Sequence, residues 1–145
     1  MNVLVGFKET FNDLLKESEK TLDEIAADLH TSKSVISKWK NHTKDLKMKS
    51  LIKLADYFNC SVEFLCGKSR DQLNYTPKEC PPFCTYIKTV LASCKVSAYK
   101  LVKNTSISRA QFHRWSKGTE PLLTSLETVA EFLDITLDCL IGRDR

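Results

Sequence analysis

Two tryptophans, Trp39 and Trp115, stand 76 positions apart, and the chain around them is written twice. At that offset Phe7 meets Phe83, Phe11 meets Ile87, Leu14 meets Val90, Leu15 meets Leu91 and Ile25 meets Leu101. Ser32 meets Ser108, Lys33 meets Arg109, Ile36 meets Phe112 and Lys38 meets Arg114. Beyond the tryptophans the offset becomes 75, so that Leu51 meets Leu126, Ala55 meets Ala130, Leu65 meets Leu140, Gly67 meets Gly142 and Lys68 meets Arg143. Identities are few, but the apolar frame and its landmarks coincide. A repeat of this kind constrains the fold more than composition does, because each copy must bury its own frame. The 145 residues therefore divide into two very small domains at 1–68 and 83–145. The stretch between, 69–82 (SRDQLNYTPKECPP), is polar with three prolines and has the composition of a linker.

Each half predicts five short helices, and the fold class is all-α. In the first half Phe7, Phe11, Leu14 and Leu15 form a helical stripe. Thr21 and Glu24 have capping-box spacing ahead of Ile25, Ala26 and Leu29. Ser32 suits the N-cap of a third helix carrying Val35, Ile36 and Trp39; 40–47 has no period and is expected as a loop. Met48, Leu51, Ile52, Leu54, Ala55 and Phe58 predict a fourth helix. Ser61 caps a short fifth one that Gly67 ends in a left-handed conformation. The second half repeats the plan at 83–94, 97–104, 108–116, 122–133 and 136–141. Ser108 and Gln111 there form an S-x-x-Q box, and Pro121 precedes the fourth helix.

At this point the pattern has a counterpart. Thr21–Trp39 (TLDEIAADLHTSKSVISKW), followed by Leu51–Gly67 (LIKLADYFNCSVEFLCG), resembles the lambda-repressor-like, or Cro/XRE-type, helix-turn-helix family. Ser97–Trp115 and Gly118–Gly142 resemble a second copy. The resemblance implies two tandem five-helix domains, each using its second and third helices to read double-stranded DNA. It implies base-edge contacts from Lys33, Ser34 and Lys38 in the first copy, and from Arg109, Ala110 and Arg114 in the second. Three departures accompany it. Leu22 and Ala98 stand where the family often has Gln. His30 and Ser106 stand where it often has Gly, a turn position that tends to need positive φ, which His tolerates better than Ser. Ala26 is matched by the larger Val102.

The residues themselves support contact with nucleic acid. The net charge is a modest +4, yet Lys33 to Lys49 holds six lysines and one acid. Lys95 to Gly118 holds six basic residues and no acid, whereas Lys8 to Asp28 holds three lysines and seven acids. Basic stretches centred on both third helices supply the phosphate attraction that a DNA binder requires; a solvated helix face is the plainer explanation of any one charge run. With Ile36, Trp39, Phe112 and Trp115 inward, the opposite face shows Lys33, Ser34, Ser37 and Lys38 in one copy and Arg109, Ala110, Gln111, His113 and Arg114 in the other. Arg can donate twice to guanine and Gln can pair with adenine, so Arg109 and Gln111 are the leading base readers. Ser32, Ser108, Asn41 and Lys117 are candidates for holding phosphate. His113 is either a phosphate donor or a surface histidine with no role.

Other classes are poorly served. No Gly-rich phosphate loop, catalytic triad or metal signature occurs, and the three histidines, His30, His42 and His113, are scattered, so no enzyme and no cofactor is expected. Of six cysteines, Cys80 and Cys84 flank only three residues and offer two ligands, so no metal is expected. No apolar run is long enough to span a membrane. The N-terminus lacks the basic region of a signal peptide, which makes the cytoplasm the expected location. The expected partners are DNA and, for dimerisation, a second chain, with no small-molecule-sensing domain. Two functional readings remain open: a sequence-specific transcriptional regulator, or a protein-interaction module in which one or both copies have lost DNA reading. The 14-residue linker reaches at most about 46–50 Å, enough to join reading helices about 34–36 Å apart on successive major-groove faces.

Overall fold

A computed structural model describes residues 3–41, 45–70 and 79–143. It divides into two compact units, Met1–Thr76 and Pro77–Arg145. The boundary falls inside the expected linker, of which residues 71–78 lie outside the described residues. Each unit has five helices among the described residues. The first has α1 (Val3–Ser18), α2 (Leu22–Asp28), α3 (Lys33–Asn41), α4 (Met48–Tyr57) and α5 (Val62–Leu65). The second has α6 (Phe83–Ser93), α7 (Ala98–Asn104), α8 (Arg109–Ser116), α9 (Leu123–Leu133) and α10 (Leu137–Ile141). The expected loop 40–47 starts later than its composition suggests. Lys40 and Asn41 belong to α3, whose end is held by Asn12 Nδ2 donating to the Lys40 carbonyl at 3.0 Å; residues 42–44 lie outside the described residues.

The core of each unit follows from its apolar period. In α1, Val3, Phe7, Phe11, Leu14 and Leu15 are buried on one face. Phe11 is the hub: it stacks on Phe7 at 5.4 Å and meets Trp39 and Phe58 edge-on at 6.2 and 6.3 Å. In the second unit Ile87 replaces Phe11, and the aromatic contact passes directly from Phe83 to Trp115 at 5.7 Å. Trp115 is buried, whereas Trp39 is only partly so. The last helix of each unit closes against the start of the first. A side chain at Gly6 would drive its Cβ into the Cys66 carbonyl oxygen, so only glycine lets α1 approach the end of α5 this closely. The second unit closes differently: Pro81 packs on Gly142, where a Cβ would sit 2.7 Å from the proline ring. The last residues of the expected linker thus belong to the second unit's packing.

The duplication is visible in backbone conformation. Positive φ recurs at Glu19 and Lys95, at Asn59 and Asp134, and at Gly67 and Gly142. These pairs follow the same 76- and 75-residue offsets as the sequence. All but Glu19 end a helix in a Schellman turn; for example, the Val96 and Ile135 amides donate back to the Leu91 and Ala130 carbonyls at 2.9 and 3.0 Å, whereas after Glu19 the Lys20 amide donates to the Ser18 hydroxyl at 3.3 Å.

His30 breaks the symmetry. It adopts φ 55°, and the Thr31 amide bonds the Ala26 carbonyl at 2.9 Å, closing α2 with the same motif. Ser106 has no positive φ, contrary to the expectation for a turn of this kind. Instead α7 ends at Thr105 in an extended conformation (φ −133°, ψ 175°). The Thr105 hydroxyl donates to the Leu101 carbonyl at 2.7 Å and accepts from the Ile107 amide at 3.2 Å. The physical reason is local. Threonine is β-branched and favours extended backbone, and its hydroxyl reaches the carbonyl four residues back, so side chain replaces backbone in the cap.

Candidate nucleic-acid interface

The third helix of each unit is positioned by its inner face and its cap. In α3, Ile36 is fully buried and Trp39 partly so; in α8, Trp115 is buried and Phe112 partly so. Ser108 accepts from the Gln111 amide at 3.0 Å, an N-cap that fixes the start of α8. Ser32 makes the longer equivalent, 3.4 Å from the Val35 amide, and lies 3.4 Å from the Ser34 hydroxyl. Thr21 and Glu24 form a complete capping box ahead of α2.

These constraints turn one stripe of each helix outward. Lys33, Ser34, Lys38 and Asn41 are exposed, and Ser37 is half-buried beside them. In the second unit Arg109, Ala110, His113 and Arg114 are exposed, with Lys117 following at the C-cap. Positions i, i+1, i+4 and i+5 share a face, so the structure brings the expected contact residues of each copy together. Ser32 and Ser108 stand at the open N-termini of these helices, where unpaired backbone N–H groups favour an anion.

The two faces differ in how free their cations are. Lys33 Nζ lies 3.8 Å from the Asp23 carboxylate of α2, an exposed pair. Tyr99 occupies the place of Asp23 in the second unit. Among the described residues no acid pairs with Arg109 or Arg114. Gln111 stands apart from the exposed stripe. Its side chain is half-buried and its Nε2 donates to the Ser125 hydroxyl at 2.7 Å, tying α8 to α9. The S-x-x-Q box is therefore half made: Ser108 caps the Gln111 amide, while the Gln111 side chain turns away from the Ser108 backbone. One of the two Nε2 hydrogens is taken up by this bond.

Sequence reasoning passed over two residues beside this face. Tyr99 is 64% exposed, and Lys103 Nζ lies 5.8 Å over its ring. Their four-residue spacing on a short helix was the available signal. Among the described residues no group of three or more His, Cys, Asp or Glu is placed to hold a metal ion. Among the same residues no helix is long and apolar enough to cross a membrane.

Two helices joined by a tight turn, the second displaying a basic stripe, define a helix-turn-helix DNA-binding protein, here built twice. Comparison with known families agrees: residues 12–65 match the helix-turn-helix family, and residues 87–144 match the Cro/C1-type helix-turn-helix DNA-binding domain. The chain belongs to the Cro/XRE-type helix-turn-helix regulators, with two such domains in tandem. Comparison with curated proteins and with solved structures gives no match.

Proposed function

We propose that the chain is a sequence-specific transcriptional regulator that reads major-groove half-sites with α3 and α8, the second copy supplying the larger share of affinity. The observation that carries this reading is the pair of outward stripes, Lys33, Ser34, Ser37, Lys38 and Asn41 on one helix and Arg109, Ala110, His113, Arg114 and Lys117 near the other. Arg109 is the foremost base reader, since a guanidinium without an acid partner is available for bidentate pairing to guanine. Gln111 is assigned to positioning α8 through Ser125 rather than to reading a base. Ser32, Ser108, Asn41 and Lys117 hold phosphate, and both copies act from one chain, so the second contact gains from local concentration. The cytoplasm is the proposed location, with no catalytic role.

The experiment is fluorescence anisotropy on duplexes enriched from a random pool, repeated over a salt series. A selected duplex bound much more tightly than random DNA supports sequence reading. Equal affinity for both would leave only non-specific phosphate contact. Cutting the linker should lower affinity and shorten the protected DNA; an isolated second unit that binds as tightly as the whole chain would defeat the two-contact arrangement.

A second reading concerns the first copy alone, as a protein-interaction module. The Lys33–Asp23 pair and the seven acids between Lys8 and Asp28 favour it. If Lys33 and Lys38 can both become alanine without loss of DNA affinity, the first copy does not read DNA. Self-association of the full chain, measured by sedimentation, tests the second-chain partner.

A further inference from the structure

The second unit has a cleft between α7 and α8, of about 420 Å³, lined by Ala98, Tyr99, Val102, Lys103, Arg109 and Phe112. Its origin lies in the substitutions that distinguish the copies. In the first unit Ala26 and Ile36 are both buried, and α2 closes on α3. In the second, Val102 and Phe112 stand at those places and both remain partly exposed. The bulkier valine and the extended Thr105 turn keep α7 from seating on α8 in the same way. The walls are apolar. At the rim stand two cations, Lys103 and Arg109, and among the described residues neither has an acid partner.

We propose that this cleft binds a small amphipathic carboxylate, its apolar body between Tyr99, Val102 and Phe112 and its carboxylate on Arg109 and Lys103. The volume suits a small molecule rather than a helix. The charge selects an anion, because no acid occurs from Lys95 to Gly118 and a guanidinium pairs with a carboxylate bidentately. The first copy is excluded on the same grounds: Asp23 stands where Tyr99 does and would repel the ligand. Arg109 opens α8, so a carboxylate held there takes the guanidinium away from DNA. Ligand and DNA then compete for one side chain. This last step rests on the DNA-reading role proposed above; binding of the ligand itself does not.

The test uses the full chain and 1-naphthaleneacetate as probe, with the neutral 1-naphthaleneacetamide as its charge control. Amide NMR shifts should saturate at millimolar or lower probe and concentrate in residues 98–112. Ala98→Trp, which fills the cleft from an exposed position, and Arg109→Gln should each weaken probe binding about tenfold or more, as should the amide analogue. Leu22→Trp, the same change in the first copy, should leave it unchanged. Absence of saturable shifts, or shifts indifferent to Ala98→Trp, overturns the proposal. So does a chain dimer that Ala98→Trp dissociates, since the cleft would then be a subunit contact. An Ala98→Trp variant that loses DNA affinity with no probe bound to the parent would assign the cleft to DNA and overturn it likewise. In the competition arm the probe should raise the protein concentration needed for half-binding of DNA. Saturable, variant-sensitive probe binding without any DNA binding by the parent chain would spare the cleft and sink the DNA-reading role instead.

Discussion

The turn between α2 and α3 and the turn between α7 and α8 join equivalent helices and solve the same problem by different means. The first places His30 in the left-handed region and closes α2 with backbone bonds. The second keeps Ser106 out of that region and closes α7 with the Thr105 hydroxyl. Around the first turn Lys53 of α4 donates to the Leu29 carbonyl at 2.8 Å; Thr128 occupies its place in α9 and bonds within its own helix to the Thr124 carbonyl. Nearby, Lys20, Asp28 and Tyr57 form a surface network, in which the tyrosine hydroxyl and Lys20 Nζ both donate to the Asp28 carboxylate, at 2.6 and 3.1 Å. Val96, Asn104 and Phe132 replace all three. The lesson is that the five-helix frame tolerates exchange of its caps so long as each helix end is satisfied, and that the exchange alters what the surface offers. The first copy is tied together by polar contacts across its surface. The second leaves Arg109, Arg114 and the Tyr99 ring exposed.

The difference is sharpest at the last helix. In the second unit Arg143 and Asp138 form a buried ion pair at 2.9 Å. Their counterparts are Glu63, half-buried, and Lys68, exposed. Asp138→Ala leaves a buried guanidinium without its carboxylate and should destabilise the second unit by about 3–5 kcal/mol. Glu63→Ala should cost the first unit under about 1 kcal/mol. Each unit holds one tryptophan, so denaturant unfolding followed in Trp39→Phe and Trp115→Phe backgrounds reports them separately. Equal losses would break the asymmetry.

DNA affinity should divide in the same direction. Replacing Arg109 and Arg114 by alanine removes unpaired cations and should cost about 2–3 kcal/mol on the preferred duplex, with a shallower salt slope. Replacing Lys33 and Lys38 should cost less, about 1 kcal/mol, because Lys33 is already shared with Asp23. A larger loss from the lysine pair would reverse the ranking of the copies.

The two turns yield changes of opposite sign. His30→Gly relieves a side chain held at positive φ and should stabilise the first unit by roughly 1 kcal/mol. Ser106→Gly relieves nothing, loosens the unfolded chain and should destabilise the second by about 0.4–1 kcal/mol. Thermal melts of the two variants giving shifts of one sign would show that the turns are not distinct in solution.

The smallest effect concerns pH. The Tyr57 hydroxyl, then Lys20, hold the Asp28 carboxyl below the usual aspartate range. A depressed carboxyl contributes stability above its unfolded value and loses it as pH falls through the folded one. The first unit should therefore lose slightly more stability on acidification than one lacking this contact, and Tyr57→Phe should reduce the loss. The network is exposed, so the change is a shift in acid midpoint rather than unfolding. An acid midpoint of the first unit unchanged by Tyr57→Phe would remove Asp28 from the account.

Much of the molecule was determined by sequence alone, because its information is local. Apolar residues spaced three and four apart, Ser or Thr ahead of each run, and Gly67 and Gly142 behind it define helix ends within a few residues. The duplication then joins those ends into one plan used twice, and the outward stripe of α3 and α8 follows from helical period. Tertiary structure decided what depends on partners far along the chain. Gln111 fits either its own cap or a base by sequence; that its Nε2 donates to Ser125, fourteen residues on, is visible only in the fold. Pro81 looked like linker until Gly142 provided a surface for it. Whether Val102 is covered depends on how α7 seats against Phe112 and Arg109, and on a turn in which a threonine hydroxyl competes with backbone. Such contests are decided by packing between elements, where bonds of comparable strength compete and no single residue's propensity selects the winner.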